Sequence, residues 1–167
     1  ASGLQKVVVG TVAVRIMEKT SIPLLLVPEE YEWKQPEQIV LATGYHQDDT
    51  EALHIAGFLA SMFNAGIKVV HLIDSDKQDT DKAQASLDEY TASLQKAAGT
   101  IKLEHQLLES GSVGTGLEKL CTEVPYDMLV MVKRQKTFFE RFYMESMTNR
   151  IAYLTDKPLL VIPALIN

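Results

Sequence analysis

The apolar residues of this chain alternate between two spacings from Gln38 onward. Short segments typical of strands cover 38–43, 67–73, 101–108, 127–132 and 159–162, and 127–132 is apolar at nearly every position. Apolar residues at helical spacing predict helices over 52–63, 87–97, 113–121 and 139–155. Strands that are apolar on both faces belong in a parallel sheet with helices on each side. The sequence therefore predicts an α/β fold of three layers, in which helices flank a doubly wound open sheet of five mostly parallel strands.

Glycine residues mark the predicted ends of the first two helices. The first helix stops at Asn64-Ala65-Gly66, where we expect Gly66 to take the left-handed conformation of a helix C-cap. The second helix stops at Gly99. Gly66 suits this role because a residue without a side chain adopts the left-handed conformation at little cost.

A gapless internal repeat explains the residues that precede this domain. Residues 9–28 align with residues 144–163 at a constant offset of 135, with seven identities in twenty positions. Chance would give roughly one identity at average residue usage. The matches include Arg15 with Arg150, Thr20 with Thr155 and Pro23 with Pro158. We predict that 1–28 is the last helix and strand of a preceding repeat, that 29–37 is a polar linker, and that 38–167 is a complete domain.

Composition and charge narrow the choice of partners and compartment. The formal net charge of −6 argues against nucleic acid, because binding to phosphates relies on Lys and Arg. No apolar run approaches the roughly 20 residues that span a bilayer, so we expect no membrane partner. The single cysteine, Cys121, cannot form an internal disulfide, and its helical position predicts a small buried side chain. A reducing, cytoplasmic location fits these features best.

The loops that follow the first and fourth strands are the predicted place of a binding site. In doubly wound sheets, ligands bind beyond the carboxyl ends of the strands, where the strand order reverses. Here these loops follow Thr43 and Val132.

Catalytic and metal chemistry find little support in the sequence. The stretch Tyr45-His46-Gln47-Asp48-Asp49 offers a histidine beside acids, which could serve as a base or a metal ligand. However, no G-x-S-x-G motif follows a strand, and the four histidines lie in different predicted elements. We interpret Asp48, Asp49 and Glu51 as first-turn acids that oppose a helix dipole, and His54 and His71 as structural or surface residues. We expect neither enzyme activity nor a metal.

The order of elements and two of its strands resemble the universal stress protein family. The run Asp127-Met128-Leu129-Val130-Met131 is similar to the family's strand before its phosphate loop, and 157–163, Lys-Pro-Leu-Leu-Val-Ile-Pro, to its terminal strand. The repeat length and the twin endings at 10–28 and 146–163 fit the same family. The resemblance implies the adenine nucleotide alpha hydrolase-like fold and the C-terminal part of a tandem-domain member. It also implies dimerisation through the last strands.

The resemblance implies an ATP site in which most of the motif is missing. ATP-binding members carry Gly, two residues, Gly, nine residues, Gly and then Ser or Thr, so that backbone N–H groups and a hydroxyl reach the phosphates. These positions fall on Val132, Gln135, Glu145 and Ser146, and only Ser146 matches. The family's nucleoside-contacting aspartate maps to Gly44. We therefore expect no ATP cofactor in this repeat.

Two functions stay open on this mapping. The first is a non-enzymatic stress-response module with a degenerate pocket, acting in dimerisation or partner binding. Its partner is a second copy or the preceding repeat, joined through Leu24 to Val27 and Leu159 to Ile162. The alternative is a nucleotide or anion site in an altered pose, in which basic side chains replace lost backbone donors. Its candidate residues are Thr43, Gly44, Lys133, Arg134 and Ser146.

Overall fold

Strands and helices alternate through the part of the chain that the structure, a computed structural model, describes: residues 16, 19–43, 49–111, 113–133 and 155–164. The strands are β1 (Leu24–Leu26), β2 (Gln38–Thr43), β3 (Gly66–Asp74), β4 (Leu103–Ser110), β5 (Met128–Lys133) and β6 (Leu159–Pro163). The helices are α1 (Asp49–Phe63), α2 (Thr80–Ala98) and α3 (Val113–Glu123). All five predicted strands of the domain are present. The predicted helix over 139–155 lies outside the described residues except for Thr155.

The six strands form one sheet in the order β1-β6-β5-β2-β3-β4. The four contacts among β2 to β6 are parallel, and β1 is antiparallel to β6. Helices α1 and α2 cover one face, where Leu53 and Leu87 pack with Ile39 and Leu41 of β2. Helix α3 covers the other face, where Leu117 packs with residues that include Val40. The predicted doubly wound α/β fold with helices on both faces is therefore confirmed.

The end of α1 differs from the prediction in the residue that turns the chain. Asn64, not Gly66, takes the positive φ, at 55°. Gly66 is instead the first residue of β3, where it pairs with Gln38 and donates its N–H to Glu37 O at 2.8 Å. The prediction for Gly66 was wrong because asparagine tolerates the left-handed region better than most residues. Gly99 ends α2 with a φ of 61°, as predicted.

Strand β4 starts two residues later than its apolar pattern predicts. The side chain of Gln95 on α2 donates from Nε2 to Ile101 O at 2.8 Å and accepts from Leu103 N at 3.0 Å. These contacts engage the backbone where the strand was expected to begin, and the pairing with β3 starts at Leu103 opposite Ile67. A side chain of the preceding helix thus contacts the backbone at this boundary.

A buried carboxylate fastens the segment before β2 to the sheet. Asp127 Oδ2 accepts from Glu37 N at 3.0 Å and Gln38 N at 3.1 Å, and Asp127 Oδ1 lies 2.6 Å from Lys34 Nζ. Burial alone would raise the pKa of Asp127, but the hydrogen bonds from Lys34, Glu37 and Gln38 outweigh it and lower the pKa below its usual value. The end of the predicted linker is thus held by a specific site on the domain.

Two further contacts hold the same segment against α1. The rings of Trp33 and Phe63 lie with their centroids 5.9 Å apart, and Gln35 Nε2 donates to Phe63 O at 2.6 Å. Pro36 is buried. Residues 33–37 therefore pack on the domain rather than running free beside it.

Candidate functional site

The strand order reverses between β2 and β5, so the predicted site lies at their carboxyl ends. These strands are neighbours, with Ala42 opposite Met131, and they end at Thr43 and Lys133. Parallel neighbours with diverging connections form the crevice in which ligands of doubly wound folds bind. The structure therefore brings two of the five candidate residues to one edge of the sheet. Gly44, Arg134 and Ser146 lie outside the described residues, as do Gln135 and Glu145.

A buried hydrogen-bond network stands at the end of β2. Asp49 is fully buried, and its Oδ2 accepts from the Thr43 hydroxyl and, at 2.9 Å, from Tyr90 Oη. Thr43 is itself buried. An ionised carboxylate is stable in such a place only when donors satisfy it, and here two hydroxyls do so. The side chain of Thr43 is thus directed to the start of α1.

Three elements meet in this network. Thr43 closes β2, Asp49 opens α1, and Tyr90 lies midway along α2, on the same face of the sheet. Asp49 belongs to the first turn of α1, where the sequence placed it, but burial and side-chain donors add a role that the dipole interpretation missed. Tyr90 was predicted only from its helical spacing. A deeply buried acid in a first turn resembles an exposed one in sequence, so no local pattern could have found this network.

His71 on β3 joins the same edge through the backbone. Its Nδ1 lies 2.9 Å from Thr43 O, and because a carbonyl only accepts, Nδ1 carries the proton and donates. Burial lowers the pKa of His71, while the hydrogen bond to Thr43 and the charge of Asp49 oppose this shift. His71 therefore favours its neutral form in the folded protein.

We expect the stability of the protein to fall below neutral pH through His71. Its pKa is depressed in the folded state, so the unfolded chain binds the proton more readily below the ordinary value of 6.5. The free energy of unfolding should decrease as pH falls from about 6.5 toward the folded pKa. Urea unfolding between about pH 5 and 7.5 measures this slope.

His71→Asn keeps an N–H for Thr43 O but removes the titrating ring, so it should flatten this pH dependence. His54→Asn is the matched control, since His54 is exposed on α1. An unchanged slope in the His71 variant would show that another group controls the stability.

The histidines and the cysteine in the described part of the chain lie on different elements. His46 lies outside it, His54 lies on α1, and His105 Nε2 contacts Asp88 Oδ1 at 2.8 Å on the far strand. Within the described ranges, no group of three or more His, Cys, Asp and Glu side chains is placed to hold a metal ion. Cys121 on α3 is half-buried, less than predicted, and burial raises the pKa of its thiol.

None of the helices among the described residues is long and apolar enough to cross a membrane.

Comparisons with known proteins agree on one family. A family model described as the universal stress protein family matches residues 36–163. Solved structures of similar fold include a universal stress protein in complex with cAMP, 20% identical, with a TM-score of 0.59 over 79% of this chain and all of that one. Another is a universal stress protein from Archaeoglobus fulgidus in complex with dAMP, also 20% identical, with a TM-score of 0.55 over 79% of this chain and all of that one.

A longer structure matches nearly the whole chain. It is a universal stress protein from Archaeoglobus fulgidus DSM 4304, 16% identical, with a TM-score of 0.68 over 99% of this chain. The match covers 59% of that structure's own length. At these identities the likeness shows the fold. A comparison with curated proteins finds no match.

Proposed function

This chain belongs to the universal stress protein family, and we propose that it is a non-enzymatic stress-response module whose domain has lost its ATP site and acts in assembly. The observation that carries the proposal is the register between β1 and β6, which relates the two repeat endings by a two-fold rotation. The missing phosphate-loop residues support it. The described side chains around Thr43 support it as well, because Thr43 and Tyr90 hydrogen-bond to Asp49.

Val132 lies at the first glycine position of the mapped phosphate loop. It is 4% exposed and packs in the core that faces α1 and α2, opposite Ile162 of β6. The family motif has glycine here, which lets a backbone approach phosphate oxygens. Because Val132 is buried, its side chain is part of the core at this position. The mapped motif also has Glu145 in place of a glycine, and a carboxylate near a triphosphate would be repelled strongly away from water.

Strands β1 and β6 pair symmetrically. Leu25 pairs with Leu160, and these residues are equivalent at the repeat offset of 135. Their neighbours follow the same rule, because Leu24 pairs with Val161 while Leu26 pairs with Leu159. A contact in which equivalent residues exchange places is isologous, the kind made by two-fold dimers. The strands thus pair as two copies of one element would.

The residues before the strands repeat the same local structure. Thr20 Oγ1 accepts from Ile22 N at 3.2 Å and donates to Ile22 O at 3.0 Å. Thr155 Oγ1 accepts from Lys157 N at 2.9 Å and donates to Lys157 O at 3.1 Å. The offset is again 135, and the turn leads into the strand in both copies. This supports the proposal that residues up to 28 come from a preceding repeat of the same fold.

Paired cysteines test the register directly. In a Cys121→Ser background, Leu25→Cys with Leu160→Cys should form a disulfide rapidly under mild oxidation, because opposite residues of an antiparallel pair lie about 4.5–5.5 Å apart at Cα. The product should run as a monomer on a non-reducing gel, since β1 pairs within the chain.

The control shifts one cysteine by a single residue. Leu25→Cys with Val161→Cys should link poorly, because neighbouring side chains of a strand point to opposite faces. Equal linking in both variants, or none in either, would contradict the symmetric register. A product of dimer size would instead show that two copies exchange β1.

A second function is supported by the ligands of two similar structures. Those proteins bind cAMP and dAMP. Each of these nucleotides carries a single phosphate group, so it needs fewer backbone contacts from a glycine loop than the triphosphate of ATP does. In this chain Lys133 ends β5 at the candidate site, and Arg134 follows it. Micromolar binding of cAMP that Arg134→Ala weakens several-fold would favour this alternative.

A further inference from the structure

Strand β1 is attached to the sheet by a short pairing. It has three residues, Leu24–Leu26, each opposite one residue of β6. Leu24 and Leu26 pack against the core that faces α3, whereas Leu25 is 45% exposed. Two strands that pair without further support are marginally stable in water. The pairing of β1 therefore depends on how closely the chain holds β1 to β6.

The connection from β1 to β2 is bound to the domain along its second half, residues 33–37, which we call the docked segment. Asp127 binds it twice, since Oδ1 lies 2.6 Å from Lys34 Nζ and Oδ2 accepts from Glu37 N at 3.0 Å. Gln35 Nε2 donates to Phe63 O at 2.6 Å. Asp127 is 8% exposed, so its carboxylate is stable only with donors such as these.

Docking shortens the remaining part of the connection. Six residues, 27–32, join β1 to the docked segment, whereas eleven residues, 27–37, would join β1 to β2 without docking. Six extended residues reach about 20–22 Å and eleven reach about 36–40 Å. A turn shortens the six further, because Tyr31 N donates to Pro28 O at 3.0 Å. Since β1 lies three strand spacings from β2, about 14 Å, the short connection is sufficient for its place in the sheet.

We propose that the docked segment is a latch that keeps β1 on the β6 of its own chain and opposes exchange of β1 between copies. This inference rests on the role of β1 and β6 in the proposed function. The probability of closing a flexible loop falls as its length to the power 3/2, so release from six to eleven residues lowers the local concentration of β1 at β6 about 2.5-fold. Changes in connecting segments are a common cause of strand exchange.

The contacts of Asp127 should contribute unequally to docking. The Lys34 side chain is 62% exposed, and an ion pair with an exposed partner contributes little. The N–H groups of Glu37 and Gln38 are partly buried where they bind Asp127, and both belong to the backbone. Asp127→Ala removes all of these contacts, so it should release the docked segment more than Lys34→Met does.

Trp33 reports the release of the docked segment independently of β1. It is the single tryptophan of the chain, and its ring centroid lies 5.9 Å from that of Phe63. Its fluorescence should therefore change in Asp127→Ala. Unchanged fluorescence in that variant would show that Asp127 does not hold the segment, and would overturn the proposal.

The pairing of β1 is measured in the Cys121→Ser, Leu25→Cys, Leu160→Cys protein. Its thiol–disulfide equilibrium with glutathione gives the effective concentration of Cys at 25 and 160. Asp127→Ala should lower this effective concentration at least about 2.5-fold and increase the share of dimer-size product on a non-reducing gel. Lys34→Met with Gln35→Ala keeps the carboxylate on its backbone donors and should act in the same direction, which covers an Asp127 variant that does not fold. Circular dichroism verifies folding.

Lys77→Met is the matched control, because Lys77 Nζ forms a similar ion pair with Asp74 Oδ2, at 2.7 Å, away from the docked segment. It should leave the effective concentration unchanged. The proposal is overturned if the docked-segment variants keep the parent value and remain monomeric, or if Lys77→Met lowers the value equally. A parent protein that forms no disulfide would instead contradict the register of β1 with β6, and with it the proposed function.

Discussion

Replacing Asp49 by alanine is expected to lower the free energy of unfolding by about 2–3 kcal/mol. The substitution removes a fully buried acceptor and leaves the hydroxyls of Thr43 and Tyr90 without it. Loss of the acceptor of a buried donor costs about 1–3 kcal/mol, the partly buried Tyr90 hydroxyl costs less, and removal of the buried charge offsets part of the loss. Urea unfolding followed by circular dichroism measures the change.

Glu51→Ala is the matched control for this prediction. Glu51 lies in the same first turn of α1 but is exposed, so its loss removes only a dipole interaction. The cost should stay within about 0.5 kcal/mol. If Asp49→Ala were no more destabilising than Glu51→Ala, the dipole interpretation would be sufficient. A double-mutant cycle of Asp49→Ala with Tyr90→Phe isolates the contribution of the contact between Asp49 and Tyr90.

Rebuilding the family motif is expected to create or strongly increase ATP binding. The variant combines Gly44→Asp, Val132→Gly, Gln135→Gly and Glu145→Gly. The three glycines would allow backbone N–H groups to approach phosphate oxygens, and the aspartate would supply the missing nucleoside contact. Affinity should rise at least about 100-fold, or roughly 2.7 kcal/mol of binding free energy. Calorimetric titration with Mg-ATP measures it.

Val132→Gly alone is the control for stability. It opens a buried position in β5 and should destabilise the domain, so each variant is compared at matched folded fraction. A folded quadruple variant that binds no ATP would show that these four positions do not account for the loss.

The fold could be predicted because its signals are local and repeated. Strands β2, β3, β5 and β6 each show a largely apolar run in their own residues, and Gly99 ends α2 as expected. The boundaries that were missed depend on a side chain of the preceding helix or on a choice between neighbours. Gln95 shifts the start of β4, and Asn64 takes the turn that Gly66 was expected to make.

The sequence predicted where the site lies but not which side chains contact one another there. The reversal of strand order locates the ends of β2 and β5, but the contact between Asp49 and Tyr90 joins residues 41 positions apart. The segment 33–37 gives a similar case, since its polar composition predicted a linker while Asp127, 90 positions from Glu37, binds its backbone. Periodicity contains no information on such pairs.

Calorimetric titration of the unmodified chain with Mg-ATP tests the central claim most directly. We predict no binding heat at ligand concentrations up to about 1 mM, because the aspartate and the three glycines of the family's ATP motif are absent from the mapped positions and only Ser146 matches. Binding at micromolar concentration would contradict it. The loss assigned to Gly44, Val132, Gln135 and Glu145 would then be wrong, and Lys133 and Arg134 would be the residues to replace next.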